Sequence, residues 1–110
     1  MKIERYDIVQ HFKRELVTEE ERNKGVYLYQ ILEICKHTET GETLIVYKAL
    51  YNYGNVHKGD VFARPIDMFF SRVDKEKYPY IKQEQRFETV ASADKEISEW
   101  KGVGMIKSER

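Results

Sequence analysis

The sequence has few cysteines, no excess of one charge and no long apolar run, and each lack excludes a class of protein. Cys35 is the only cysteine in 110 residues, so the chain forms no internal disulfide, as is typical of a reducing compartment. Nowhere does it have the ~20 consecutive apolar residues of a membrane helix, and its first residues lack the apolar core of a secretory signal. We therefore predict a cytoplasmic protein that does not enter a membrane.

The charge balance argues against a general nucleic-acid binder. The chain has 19 lysine and arginine residues and 19 aspartate and glutamate residues, interspersed along its length. Proteins that bind nucleic acid without regard to sequence have a basic excess, because neutralising phosphates supplies most of that affinity. A nucleic-acid partner is therefore disfavoured but not excluded, since a local basic patch would permit one.

Motifs for cofactors and metals are also lacking. The sequence contains neither of the glycine-rich patterns that hold phosphates, nor a serine nucleophile elbow. Cys35 and His37 supply two potential zinc ligands, but a zinc site needs three or four. A nucleophilic pair of the same residues would need a partly exposed thiolate, whereas Cys35 ends the apolar run 31–35, which favours a buried thiol. We predict no metal and no cofactor.

Alternating apolar residues predict a single domain with five short strands. The segments 26–36 and 43–51 alternate most clearly. The polar stretch 37–42 between them, which contains Gly41, predicts a hairpin at the centre of an antiparallel sheet. The predicted strands cover residues 6–12, 26–36, 43–51, 60–64 and 86–90.

A helical insertion is predicted between the first two strands, near residues 14–25. Thr18 is followed three residues later by Glu21, which is the spacing of a capping box. Gly25 then provides a helix stop. We expect one or two helical turns in this segment.

Two further helical signals complete the predicted fold. Pro65 has the backbone angle of a first helical turn, and Ser92 can cap a last helix. We therefore expect a domain of residues 1–90 with a helical tail, residues 91–110, packed on it. The strand pattern predicts a mainly β fold, a small SH3-like bent barrel with short helical additions. A small α+β meander is the alternative that the same strands allow.

Several blocks of the sequence resemble one protein family. The blocks are His37-Thr38-Glu39-Thr40, Val46-Tyr47-Lys48-Ala49-Leu50-Tyr51 and Arg64-Pro65-Ile66-Asp67-Met68-Phe69, with His11-Phe12-Lys13 before them and Arg86-Phe87 after them. In this order they resemble the bacterial family called domain of unknown function 1653, over most of residues 6–88. The resemblance implies a bacterial cytoplasmic protein, and it brings no established activity. Compared with shorter members, residues 14–25 look like an insertion.

Polar residues stand at the ends of the predicted strands, where the core does not need them. In a small barrel such strand ends converge, so we predict that they form one functional surface. Arg64 precedes Pro65, which keeps its backbone extended, and its guanidinium can bind a carboxylate or phosphate through two parallel hydrogen bonds. The predicted ligand-binding residues are His37, Thr38, Glu39, Tyr47 and Arg64, joined by His11, Lys13 and Arg86.

The same polar residues allow a second interpretation, in which they form an internal network. Arg64 or Arg86 would then pair with Glu39, and His37 would cap the hairpin. For function, the sequence favours a binding module for an anionic ligand, a peptide or a nucleic acid. A structural or accessory interaction protein is the alternative. An enzyme is the least supported class, because no acid–base pair can be placed within reach, and the sequence predicts neither catalytic residues nor an oligomeric state.

Overall fold

The computed structural model describes residues 3–90 of the chain. The predicted helix after Ser92, and with it the predicted packing of residues 91–110, lies outside the described residues. No helix in the described part is long and apolar enough to cross a membrane. The elements, in chain order, are β1 (Ile8–His11), a 3-10 helix (Phe12–Leu16), α1 (Glu19–Asn23), β2 (Leu28–Lys36), β3 (Thr43–Ala49), β4 (Val61–Pro65), α2 (Ile66–Phe69) and β5 (Phe87–Thr89).

The five strands form one antiparallel sheet in the order β4-β3-β2-β1-β5. Strands β2 and β3 form the predicted central hairpin. The edge strand β5 has three residues, and all three pair with β1. Within residues 3–90 no ladder joins β5 to β4, so hydrogen bonds do not close the sheet into the expected barrel. The mainly β class is confirmed, and the SH3-like class stays a prediction.

Strand β2 begins at Leu28 rather than at residue 26, because Tyr27 has a positive φ of 72°. A bulky residue in this left-handed region cannot continue a strand. The turn that leads into β2 contains a second positive φ, at Gly25, where glycine carries no steric penalty. It directs the carbonyl of Tyr27 to the N–H of His11, at 3.0 Å.

A β-bulge in β2 reverses the alternation that the sequence indicates. Ile31 lies opposite Tyr47 on β3, while Glu33 lies opposite the next residue, Val46, so Leu32 is the inserted residue. An inserted residue moves the side chains that follow it to the other face. Cys35 consequently lies opposite Leu44, where it is only partly buried, and the prediction of a core thiol is wrong.

The main core lies on one face of the sheet. Val9, Tyr29 and Ala49 lie side by side on neighbouring strands of that face and are buried. Helix α2 begins at Ile66, one residue later than predicted, because Pro65 pairs with Leu44 as the last residue of β4. The helix adds Phe69, whose ring stacks on Phe87 at 4.1 Å between centroids. Burying one such side chain contributes about 1.5–3 kcal/mol. The fully buried members of this core include Val9, Val26, Ile31, Ile45, Ala49, Phe69 and Phe87.

The predicted capping box of α1 is present. The hydroxyl of Thr18 accepts the N–H of Glu21 at 3.1 Å, and the carboxylate of Glu21 accepts the N–H of Thr18 at 3.0 Å. Helix α1 buries none of its own residues. Arg14 is 4% exposed and donates to the carbonyls of Arg22 and Val26, at 3.2 and 3.0 Å. This arginine ties the end of the helix to the turn that precedes β2.

Residues 71–86, between α2 and β5, fold into a compact excursion. Its ends meet where the N–H of Arg86 donates to the carbonyl of Ser71 at 2.7 Å. The carboxylate of Glu15, in the 3-10 helix, accepts the N–H groups of residues 82–83, each at 2.9 Å. The excursion has a small core of its own, made of Phe12, Val73 and Ile81, with Tyr78 packed against it.

Candidate functional site

The pairing of β1 with β5 brings the first and last strands together around His11. In this ladder His11 lies opposite Phe87, and the two rings meet edge to face at 4.9 Å. The Nδ1 atom of His11 accepts the N–H of Lys13 at 3.1 Å and so caps the 3-10 helix. Lys13 lies two residues after His11, and Arg86 directly precedes Phe87. Both cations therefore lie close enough to the imidazole to act on it electrostatically.

His11 is buried and uncharged at neutral pH. Its ring is 8% exposed and stacks on Phe12, with 4.6 Å between centroids. Burial, followed by the positive charges of Arg86, Lys13 and Arg64, lowers the pKa of His11 from 6.5 to about 3. Four of the predicted site residues therefore share one electrostatic environment.

A cleft of about 340 Å³ opens beside His11. Residues that follow β1 line one side, and the excursion 71–86 lines the other. Four of the lining residues are lysine or arginine, and one is acidic. The lining consists of His11, Phe12, Lys13, Arg72, Val73, Asp74, Lys77, Tyr78 and Arg86.

Two of the charged lining residues already have partners. Arg72 forms an ion pair with Glu84 at 2.9 Å. The carboxylate of Asp74 accepts the N–H groups of residues 76–77, at 3.0 and 3.3 Å, so it holds a turn. No lysine or arginine within residues 3–90 lies in ion-pair range of Asp74.

The other three cations of the cleft have no carboxylate partner in the described part of the chain: Lys13, Lys77 and Arg86. The ammonium of Lys77 lies over the ring of Tyr78, 5.5 Å from its centroid. The Nε of Arg86 donates to the hydroxyl of Ser71 at 3.0 Å, which orients the guanidinium. The cleft therefore carries positive charge that the surrounding residues do not neutralise.

Arg64 and Tyr47 lie together on the core face of the sheet. The Nε of Arg64 donates to the hydroxyl of Tyr47 at 3.2 Å, and its guanidinium carbon lies 5.7 Å from the centroid of the Phe87 ring. Among residues 3–90 neither Arg64 nor Arg86 pairs with Glu39, so the internal salt bridge of the second interpretation is absent there. Arg64 does not line the cleft, but its charge reaches His11.

The hairpin residues form a separate group. The Nδ1 atom of His37 accepts the N–H groups of Glu39 and Thr40, at 3.1 and 3.3 Å, and so caps the loop as the second interpretation predicts. Within the described chain, His37, Thr38 and Glu39 make no hydrogen bond, ion pair or ring contact with the other predicted site residues. None of the three lines the cleft. The predicted surface is thus two groups, His11, Lys13, Arg86, Arg64 and Tyr47 on one side and His37, Thr38 and Glu39 on the other.

Comparison with known proteins gives a family and no activity. A family model described as a protein of unknown function, DUF1653, matches residues 7–89. The chain belongs to the DUF1653 family. No curated protein and no solved structure matches it. The matched range runs from before β1 through β5 and so includes every residue that lines the cleft.

Of the nine residues that line this DUF1653 cleft, sequence reasoning missed Phe12 and five residues of the excursion, namely Arg72, Val73, Asp74, Lys77 and Tyr78. These five lie in a segment for which the sequence predicts no regular element. One signal was available, because an aspartate followed by polar residues and a proline, as in Asp74 to Pro79, is typical of an ordered turn. Polar residues at strand ends do not point to that turn, because it lies between α2 and β5 and outside every predicted strand.

Metal ligands are not grouped in the described part of this DUF1653 chain. No cluster of three or more His, Cys, Asp or Glu side chains within residues 3–90 could hold a metal ion. The chemistry that the cleft offers is that of ammonium and guanidinium groups beside a buried, neutral imidazole. Those groups bind anions.

Proposed function

We propose that this DUF1653 chain is a binding module for an anionic ligand, which it takes up in the cleft beside His11. The observation that carries the proposal is that Lys13, Lys77 and Arg86 line one cleft with no carboxylate in ion-pair range among residues 3–90. Like charges held together repel one another. An anion bound among them removes that repulsion and gains charge-assisted hydrogen bonds.

The placement of Arg86 favours recognition of an oxyanion. Its main chain is fixed by the 2.7 Å bond to Ser71, and its Nε by the 3.0 Å bond to the same residue. The terminal guanidinium nitrogens have no partner within the described chain, so they can present two parallel donors to a carboxylate or a phosphate. A group whose orientation is fixed before binding loses less entropy when the ligand arrives.

The buried wall of the cleft strengthens these interactions. The His11 and Phe12 side chains are buried, and their rings stack against each other. Charges beside such a buried wall are screened less than charges in open solvent. The proposal covers a free anion and an anionic group carried on a peptide or a nucleic acid. We also propose that this is a bacterial cytoplasmic protein, which the lone cysteine and the family resemblance support. We propose in addition that its fold is SH3-like, which the strand order supports.

A titration with inorganic phosphate tests the proposal. Amide and His11 ring resonances are followed by NMR at low ionic strength, in the wild type and in Lys13→Ala. The matched control is Lys58→Ala, which removes the same charge from an exposed loop outside the cleft. We expect saturable shifts around His11, Lys13 and Arg86, and affinity about threefold or more weaker in Lys13→Ala.

Two results would contradict the proposal. One is the absence of saturable shifts with phosphate. The other is equal weakening in Lys13→Ala and Lys58→Ala, which would mean that phosphate responds to the net charge of the chain and not to the cleft.

A further inference from the structure

A second cleft adjoins the cationic one. Its volume is about 240 Å³, and it lies between the end of the 3-10 helix and the Tyr78-Pro79-Tyr80 segment. Lys77 and Tyr78 line both clefts, so the two cavities are neighbours across these two side chains. A ligand with one group in each cleft would therefore pass over the Lys77 and Tyr78 side chains.

The second cleft is apolar and aromatic where the first is charged. Tyr80 is 93% exposed and Leu16 is 58% exposed, and both line it. Within residues 3–90 the ring of Tyr80 makes no ring contact and its hydroxyl makes no hydrogen bond. Exposed apolar side chains that lie together and are rimmed by polar residues mark binding surfaces, and Tyr80 and Leu16 line the same cleft.

The acidic residue of the second cleft has a structural role. Both oxygens of the Glu15 carboxylate accept main-chain N–H groups, those of residues 82 and 83. This carboxylate holds the excursion 71–86 against the 3-10 helix, and its negative charge favours an uncharged group, such as a base, in the second cleft. The Tyr78 ring is also fixed, since it packs edge to face on Phe12 at 4.9 Å between centroids.

We propose that the two clefts form one site for a nucleoside phosphate, with the phosphate among Lys13, Lys77 and Arg86 and the base on the Tyr80 ring. This inference rests on the proposed function and adds the class of ligand. Lys13, Lys77 and Arg86 together with Asp74 give this cleft two net positive charges, which exceed what a single carboxylate neutralises, whereas a phosphate monoester carries nearly two negative charges near pH 7. A planar base stacks on an exposed aromatic ring, and each such stack contributes to binding irrespective of base identity.

The test compares four small ligands, namely inorganic phosphate, ribose 5-phosphate, adenosine 5′-monophosphate and adenosine. Affinities are measured by NMR titration with the full chain. We expect adenosine 5′-monophosphate to bind about tenfold more tightly than ribose 5-phosphate, because only the former has a base to stack. Tyr80→Ala should remove that difference and leave phosphate binding unchanged. Since Tyr80 is almost fully exposed, its replacement should not disturb folding, and the melting temperature checks this.

Matched variants separate the two parts of the site. Tyr53→Ala removes another partly exposed tyrosine that lines neither cleft, and it should leave nucleotide affinity unchanged. Lys13→Ala should weaken all three phosphate-containing ligands by a similar factor. A 5′-phosphorylated hexaadenylate distinguishes the sources of the ligand: tighter, Tyr80-dependent binding supports a nucleic-acid end, and weaker binding than the mononucleotide supports a free nucleotide.

The outcomes distinguish this inference from the proposed function. Equal binding of ribose 5-phosphate and the nucleotide, with no effect of Tyr80→Ala, overturns the inference and leaves the anion site in place. Tighter binding of a short acidic peptide than of any nucleotide, with dependence on Tyr80, also overturns it. If none of the phosphate-containing ligands binds saturably, the inference and the proposed function are both overturned.

Discussion

Acidification from pH 7 to pH 5 should destabilise the fold, mainly through His11. Its Nδ1 accepts the N–H of Lys13, so a proton on that nitrogen would set one donor against another. The charged ring would also be buried beside Arg86 and Arg64, which repel it. The folded protein therefore resists taking up this proton.

The magnitude follows from the two pKa values of His11. The unfolded chain holds the proton with the ordinary pKa of 6.5, and the folded chain with a pKa of about 3. Between these values the unfolded state binds more protons, so stability is complete above pH 6.5 and falls as the pH drops. The slope approaches about 1.4 kcal/mol per pH unit. From pH 7 to pH 5 the free energy of unfolding should fall by about 2 kcal/mol.

Urea unfolding at the two pH values, followed by circular dichroism, measures this loss. His11→Asn is the matched variant, because its side-chain oxygen can accept the same N–H and does not titrate. The variant loses ring packing and should be less stable at both pH values. Its stability should nevertheless change between them by about 2 kcal/mol less than that of the wild type. The same pH dependence in both proteins would refute the reasoning.

Two further predictions concern helix α1 and the 3-10 helix before it, and urea unfolding at neutral pH measures both. Thr18→Ala removes the capping box of α1 and should cost about 1 kcal/mol, whereas Thr18→Asn should restore most of it; a neutral Thr18→Ala would contradict this. Glu15→Gln weakens the two bonds that hold residues 82–83 and should cost about 1–3 kcal/mol. Glu20→Gln, which alters only an exposed pair with Lys24, should change stability by less than about 0.5 kcal/mol, and equal losses in both glutamine variants would argue against this role for Glu15.

Local patterns in the sequence predicted the elements well, because each signal acts within a few residues. The hairpin around Gly41, the capping box at Thr18 and the helical turn after Pro65 all appear where the residues indicate them. The errors arise where one residue departs from a regular pattern. The positive φ of Tyr27 shortens β2, and the insertion of Leu32 reverses its faces. Neither departure alters the alternation of apolar and polar residues enough to be recognised in the sequence.

The candidate site was only half predictable for a different reason. The sequence indicated His11, Lys13 and Arg86 as site residues but grouped them with His37, because it placed every strand end in one barrel mouth. In the structure the His37 loop is satisfied by its own main chain. The missing wall comes from the excursion 71–86, whose position depends on contacts such as that of Glu15 with residues 82–83. Contacts of this kind join distant parts of the sequence and leave no periodic trace.

The cleft exists only when the first strand, β1, has paired with the last strand of the described chain, β5. Lys13 belongs to the segment after β1 and Arg86 to the segment before β5, and the pairing of His11 with Phe87 holds them on one side of the sheet. The unfolded chain has no such arrangement of cations, so the proposed anion would bind the folded state alone. Binding then stabilises the fold in proportion to the logarithm of ligand concentration over its dissociation constant. The edge strand β5 pairs with β1 through three residues, whereas the other edge strand, β4, pairs with β3 through five, so the proposed ligand adds contacts at the edge that has the shorter ladder.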